Sequence, residues 1–173
     1  MKKFALITIL MFVVSAAAFA ERPAGWGIGI LAQHNLAWDG FGGNWGVGVS
    51  LKAPQWPIFW GINLDFRSNF FGIGLTGDYY LLEQVIVEDV NFGWFIGLGG
   101  YGSFASLSNS WTSLRLGGRV PVGVYIMPVD FLEVFLSVAP SLGLGLYFGE
   151  GRDSPFNFPE GGFGVDFGIR FWF

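Results

Sequence analysis

Side chains able to do covalent or metal chemistry are scarce in this 173-residue chain, which holds one histidine, His34, and no cysteine. Hydrolysis or group transfer needs a nucleophile beside a base, most often a histidine oriented by a carboxylate. His34 falls in a stretch that reads as a strand, in phase with Ile28 and Ile30, and so on its outer face. The hydroxyls of Ser68 and Ser106 fall in turns, and nothing in the spacing brings either beside it. A lone strand histidine is by default structural, so no catalytic residue is assigned and the chain is read as a non-enzyme. One histidine and scattered carboxylates do not make a metal set, and no cofactor is expected. The run Gly97-Leu-Gly-Gly is strand alternation rather than a phosphate loop, because no helix opens after it.

The informative chemistry is electrostatic. Only 13% of the residues are charged, against about 25% in soluble domains, while 52% are hydrophobic and 19% aromatic, with 28 Gly and 20 Phe. Twenty charged residues follow position 20. Eleven are read as lying in turns or at the N-terminus: Glu21, Arg22, Asp39, Glu83, Glu88, Asp89, Asp130, Glu150, Arg152, Asp153 and Glu160. The other nine, Lys52, Asp65, Arg67, Asp78, Arg115, Arg119, Glu133, Asp166 and Arg170, fall within strands. All nine share the phase of Gly and Ser, and none the phase of the Phe, Trp, Ile, Leu and Val set. Five cations and four anions on one face nearly cancel, and should pair, because a lone buried charge is costly. Glu133 and Arg170 are expected at one height on neighbouring strands, with Arg119 within reach of Glu133. Asp65, Arg67 and Arg115 are expected higher, with Gly leaving room for the long side chains.

The elements that position these charges have period two. Trp45-Gly-Val47-Gly-Val49-Ser-Leu51-Lys52 alternates large apolar residues with small or charged ones, and so does Phe163-Gly-Val165-Asp-Phe167-Gly-Ile169-Arg-Phe171. Strict alternation places one set on each face of a strand. Turn signals divide the chain into strands near 25–38, 44–53, 57–67, 70–82, 91–105, 113–126, 132–148 and 161–173. Pro121 and Pro140 fall inside two of them and are expected to make bulges or kinks. The fold class that follows is all-β: an eight-stranded antiparallel up-and-down transmembrane β-barrel, apolar outside, charged within, both termini at one end. Trp26, Trp45, Trp60, Trp94, Trp111, Tyr79, Tyr80 and Phe173 gather near strand ends, where membrane barrels carry aromatic girdles.

The first 20 residues read as a signal peptide. Lys2 and Lys3 precede an apolar run from Phe4 to Val14, and Ala18-Phe19-Ala20 is a small-x-small cleavage site. The expected domains are 1–20, the signal peptide, and 21–173, the barrel. Loss of Lys2 and Lys3 leaves seven basic against thirteen acidic residues, and no basic patch for nucleic acid. No apolar run after Ala20 approaches the ~20 residues of a membrane helix.

The chain after residue 20 resembles the small eight-stranded OmpA/OmpX/OmpW-like outer-membrane barrels. Several phrases resemble the spirochaete-type outer-membrane β-barrel families of unknown function. They are Asp78-Tyr-Tyr-Leu81, Gly93-Trp-Phe-Ile-Gly-Leu-Gly-Gly-Tyr101, Arg119-Val-Pro-Val-Gly123, Leu132-Glu-Val-Phe-Leu-Ser-Val-Ala-Pro140 and the terminal Gly-Ile-Arg-Phe-Trp-Phe173. The resemblance implies a bacterial outer-membrane location, outer-membrane lipid and the barrel assembly machinery as partners, a monomer, and Phe173 as the terminal assembly signal. It brings no catalytic residue. Three functions follow: a plugged structural or surface-interaction barrel, which the charge balance favours; a narrow pore or conduit for small or hydrophobic solutes, which the luminal Gly would suit; and, last, a lipid A-modifying enzyme.

Overall fold

The computed structural model describes residues 22–37, 44–67, 70–107, 111–149 and 155–173. The expected signal peptide lies outside the described residues, as do Glu21, Asp39, Ser68, Glu150, Arg152 and Asp153 and the side chains of Arg67 and Trp111.

The described residues form nine strands: β1 (Gly27–Ala37), β2 (Asn44–Lys52), β3 (Ile58–Arg67), β4 (Phe70–Val87), β5 (Phe92–Leu107), β6 (Trp111–Arg119), β7 (Val122–Val129), β8 (Leu132–Gly149) and β9 (Phe156–Trp172). All pairings are antiparallel, and β9 returns to pair with β1 from Gly27↔Trp172 to Ala37↔Gly162. The sheet is therefore a closed ring. The ring has eight staves, because β6 and β7 both lie between β5 and β8 and form one stave in two pieces. Closure leaves no long edge to be satisfied elsewhere. The start of β1 and the end of β9, paired at Gly27↔Trp172, lie at the same end of the barrel, the termini end. The described strand ends Ala37, Asn44, Arg67, Phe70, Leu107, Trp111, Gly149 and Phe156 mark the opposite, far end.

Neither proline slips the register. Arg119↔Ser141 and Val122↔Val138 keep one register with β8 across Pro121, and Val120 N donates to Pro140 O at 3.0 Å. The ladder loses one donor at each proline; at Pro121 the strand is interrupted over residues 120–121, which divides β6 from β7, while β8 runs unbroken through Pro140. Among the described residues the register shifts fall elsewhere, between Tyr80 and Leu82 and between Val85 and Val87 on β4, between Ile126 and Val129 on β7, and between Gly143 and Gly145 on β8. The first inserts Leu81 as an extra residue, so the inward set changes from even to odd numbers along β4.

The outer wall is apolar. Ile30, Val47, Leu98, Leu116, Leu142 and Leu144 are all exposed large hydrophobics, and the wall continues with residues of the same phase on every stave. No described helix is long and apolar enough to cross a membrane; the only one is a 3₁₀ turn, Glu88–Val90.

Candidate functional site: a layered lumen

An eight-stranded ring encloses just enough space for its own side chains. Those side chains form three layers, and cross-strand glycines decide which charges meet. In the layer nearest the termini, Ser50, Gly29, Arg170 and Glu133 lie side by side on β2, β1, β9 and β8. Gly29 has no side chain to stand between Arg170 and Ser50. Arg170 Nη1 donates to both oxygens of Glu133 at 3.0 and 2.8 Å, and its Nη2 donates to Ser50 Oγ at 2.8 Å. Trp172 Nε1 donates to Glu133 at 2.9 Å. Glu133 is 0% and Arg170 1% exposed, so every strong partner is internal.

The middle layer follows the same rule. Gly99 sits between Asp78 and Arg119 in the pairing, and a Cβ there would lie 2.0 Å from the Asp78 carboxylate. Arg119 Nε meets Asp78 at 3.1 Å, and its Nη2 bonds Asp166. Gln33 donates to Asp166 at 2.6 Å and accepts from Asn63 at 2.6 Å, which extends the layer across the lumen. At the far end, Arg115 Nε meets Glu160 at 2.7 Å, and Tyr147 donates its hydroxyl proton to the same carboxylate. Gly145 clears that space: a Cβ there would lie 2.1 Å from Glu160.

Above the middle layer the lumen opens into a cavity of about 150 Å³, lined by Asn35, Asn63, Asp65, Tyr101, Arg115 and Glu160 among others. Gly74 and Gly164 face this cavity, and a Cβ on either would meet nothing closer than 3.5 Å. Below the middle layer lies a void of about 20 Å³, beside Tyr80, Asp166 and Arg170. The lumen is a chamber at one end and packed at the other.

The termini end also contains residues that sequence patterning misplaced. Arg22, assigned to the N-terminus outside the luminal set, lies inside the barrel mouth with its side chain 7% exposed, 2.6 Å from Glu83 and 3.2 Å from Glu133. Glu83, assigned to a turn, is in β4, and the bulge at Leu81 turns it inward. Glu160, also assigned to a turn, is in β9. Arg119 does not reach Glu133, because it lies level with Ser141, eight residues further along β8. Lys52 instead donates to the carbonyls of Ala53 and Trp56 at the barrel rim. Asp65 lies in the chamber wall over Gly46. Arg67 pairs with Phe70 through its backbone, and its side chain is outside the described residues. Phe173 is 79% exposed, and its backbone exchanges two bonds with Trp26.

The separation of aromatics from charges also fails at this end. Phe59, Tyr80, Phe95, Tyr125, Phe135 and Trp172 point into the lumen with Leu31 and Met127. Tyr80, read as a girdle residue, stacks between Phe59 and Phe95 at 4.2 and 4.1 Å. A signal was present: Phe59 shares the phase of Gly61 and Asn63, and Phe95 that of Gly93 and Gly97. His34 faces outward and stacks on Trp45 at 4.3 Å. Ser106 is in β5 and hydrogen-bonds Thr112 at 3.4 Å, rather than lying in a turn. Among the described residues no group of three potential ligands is placed to hold a metal.

No family model matches the chain, and no curated protein matches it. Among solved structures, the chain is similar to the crystal structure of Neisserial surface protein A, at 14% sequence identity and a TM-score of 0.49, over 88% of this chain and 100% of the other.

Proposed function

We propose that this chain is a small integral outer-membrane β-barrel protein with a closed, charge-paired lumen, serving as a structural or surface-interaction element and not as an open pore or an enzyme. The observation that carries the reading is the layered seal. Two buried ion-pair layers and an aromatic packing close the lumen at the termini end, while the outer wall is apolar on every stave. A charged side chain on a lipid face costs about 2–4 kcal/mol at the midplane, and all six described ion pairs lie within the barrel. On this reading residues 1–20 are removed on export. The chain is a monomer, its partners are outer-membrane lipid and the barrel assembly machinery, and Phe173 is its assembly signal. The luminal set Lys52, Asp65, Arg67, Asp78, Arg115, Arg119, Glu133, Asp166 and Arg170 balances charge inside. The spirochaete-type relationship rests on the sequence phrases alone.

With the termini end on the periplasmic side, as in outer-membrane barrels of even strand count, the far-end chamber opens toward the cell exterior and has the Arg119 layer beneath it. Planar bilayers holding the purified protein, with fractionation of the producing cells, test the proposal. The expected result is outer-membrane recovery with small, erratic current. Stable, well-resolved open channels would overturn the closed-lumen reading, and recovery in the soluble fraction would overturn the membrane reading.

A further inference from the structure

Among the described residues every luminal charge but one comes from a strand. Arg22 belongs to the segment before β1. The chain pairs with Phe173 at Trp26 and then bends so that Arg22 enters the mouth. Its guanidinium carbon lies 4.3 Å from the Tyr125 ring centre, 4.9 Å from Phe59, 5.1 Å from Tyr80 and 5.6 Å from Phe95. All are within cation–π range. Glu83 and Glu133 supply two carboxylates to the same group. Four aromatic rings and two carboxylates from β3, β4, β5, β7 and β8 thus converge on a cation that the wall itself does not provide.

We propose that the termini-end mouth is a binding cage for a guanidinium group, filled in cis by Arg22 as a tethered ligand. The backbone ladder of the wall closes without any contribution from Arg22, which precedes β1. A planar guanidinium suits it better than an ammonium, because it stacks on aromatic faces and donates in its plane at the same time. Glu133 already serves Arg170, so an empty cage leaves Glu83 with the surplus negative charge that an incoming cation would neutralise. The ligand class is therefore free guanidinium, an alkylguanidine, or an arginine side chain of a periplasmic polypeptide.

A short tether holds its group at millimolar effective concentration, which sets the range for chemical rescue. Arg22→Ala and Arg22→Lys proteins, expressed with their leader and purified from membranes in detergent, would be followed by heat modifiability on gels. The expected result is a lowered unfolding midpoint for Arg22→Ala, restored by millimolar guanidinium or methylguanidine but not by equal sodium chloride or urea. Arg22→Lys should fall between, and wild-type protein should not respond. Four results would overturn the proposal. They are an unchanged midpoint in Arg22→Ala, rescue by sodium chloride as readily as by guanidinium, full function of Lys in place of Arg, or absence of rescue in a variant that remains folded. If Arg22→Ala gives no folded barrel, Tyr125→Leu in the wild-type background provides the second arm: it should lower the midpoint, and an unchanged midpoint would overturn the cage.

Discussion

Replacing Glu133 with Gln isolates the worth of the inner seal. The substitution keeps volume and one carbonyl oxygen, so the Trp172 Nε1 bond of 2.9 Å can persist. It removes the charge that faces Arg170 at 2.8 Å and Arg22 at 3.2 Å in a site with no solvent exposure. Arg22 retains Glu83 at 2.6 Å, so its loss is partial. Arg170 retains the Ser50 hydroxyl at 2.8 Å and ring contacts with Phe59 and Phe135 at 4.8 and 4.6 Å. The loss therefore falls mainly on Arg170. Breaking a buried pair from one side costs about 3–5 kcal/mol, and the surviving partners place this case near the lower value. For a domain of this length each kcal/mol moves the midpoint by about 2–4 °C, which gives a fall of roughly 6–12 °C. The assay is heat modifiability or circular dichroism in detergent, with Asp130→Asn, at an exposed turn, as a control expected to show no shift. The same Glu133→Gln protein should pass more current in bilayers. A double change, Glu133→Gln with Arg170→Met, should recover much of the midpoint, because replacing both members of a buried pair with neutral groups removes the unpaired charge. A Glu133→Gln midpoint within about 2 °C of wild type, less than the equivalent of one kcal/mol, would refute the assignment of Glu133 as the centre of the seal.

Glycines of the two faces should respond oppositely. Gly143→Val places a Cβ 2.1 Å from the Leu116 carbonyl oxygen and should abolish most folded yield, whereas Gly118→Ala, whose Cβ would meet nothing closer than 3.8 Å, should leave yield and midpoint unchanged. Phe173→Ser should lower the amount of protein assembled in cells without lowering the midpoint of what does fold, because the side chain is exposed and the paired bonds to Trp26 are made by backbone. A fallen midpoint in the purified Phe173→Ser protein would show a packing role instead.

The barrel was legible because period-two alternation is local information. Each residue's face depends on its parity within one strand, and a closed antiparallel ring buries one parity everywhere. That is why Asp78, Arg119, Glu133, Asp166 and Arg170 could be assigned to one face from sequence, and why Glu133 and Arg170, at the open ends of two consecutive antiparallel strands, could be matched by height. Three features depended on tertiary structure. One extra residue at Leu81 reversed the parity of β4 and carried Glu83 inward, and a bulge is invisible to a rule that counts by twos. Arg22 precedes every strand, so no parity applies to it; its place follows from a bend before β1 and from carboxylates more than sixty residues away. The partners of Arg119 were fixed by register around the ring, which sets height across strands distant in sequence. Within a strand free of bulges, the chain alone thus determined which side of the wall a residue takes. The closed ring decided which opposite charges share a layer, because glycines such as Gly29 and Gly99 act only once their cross-strand neighbours are in place.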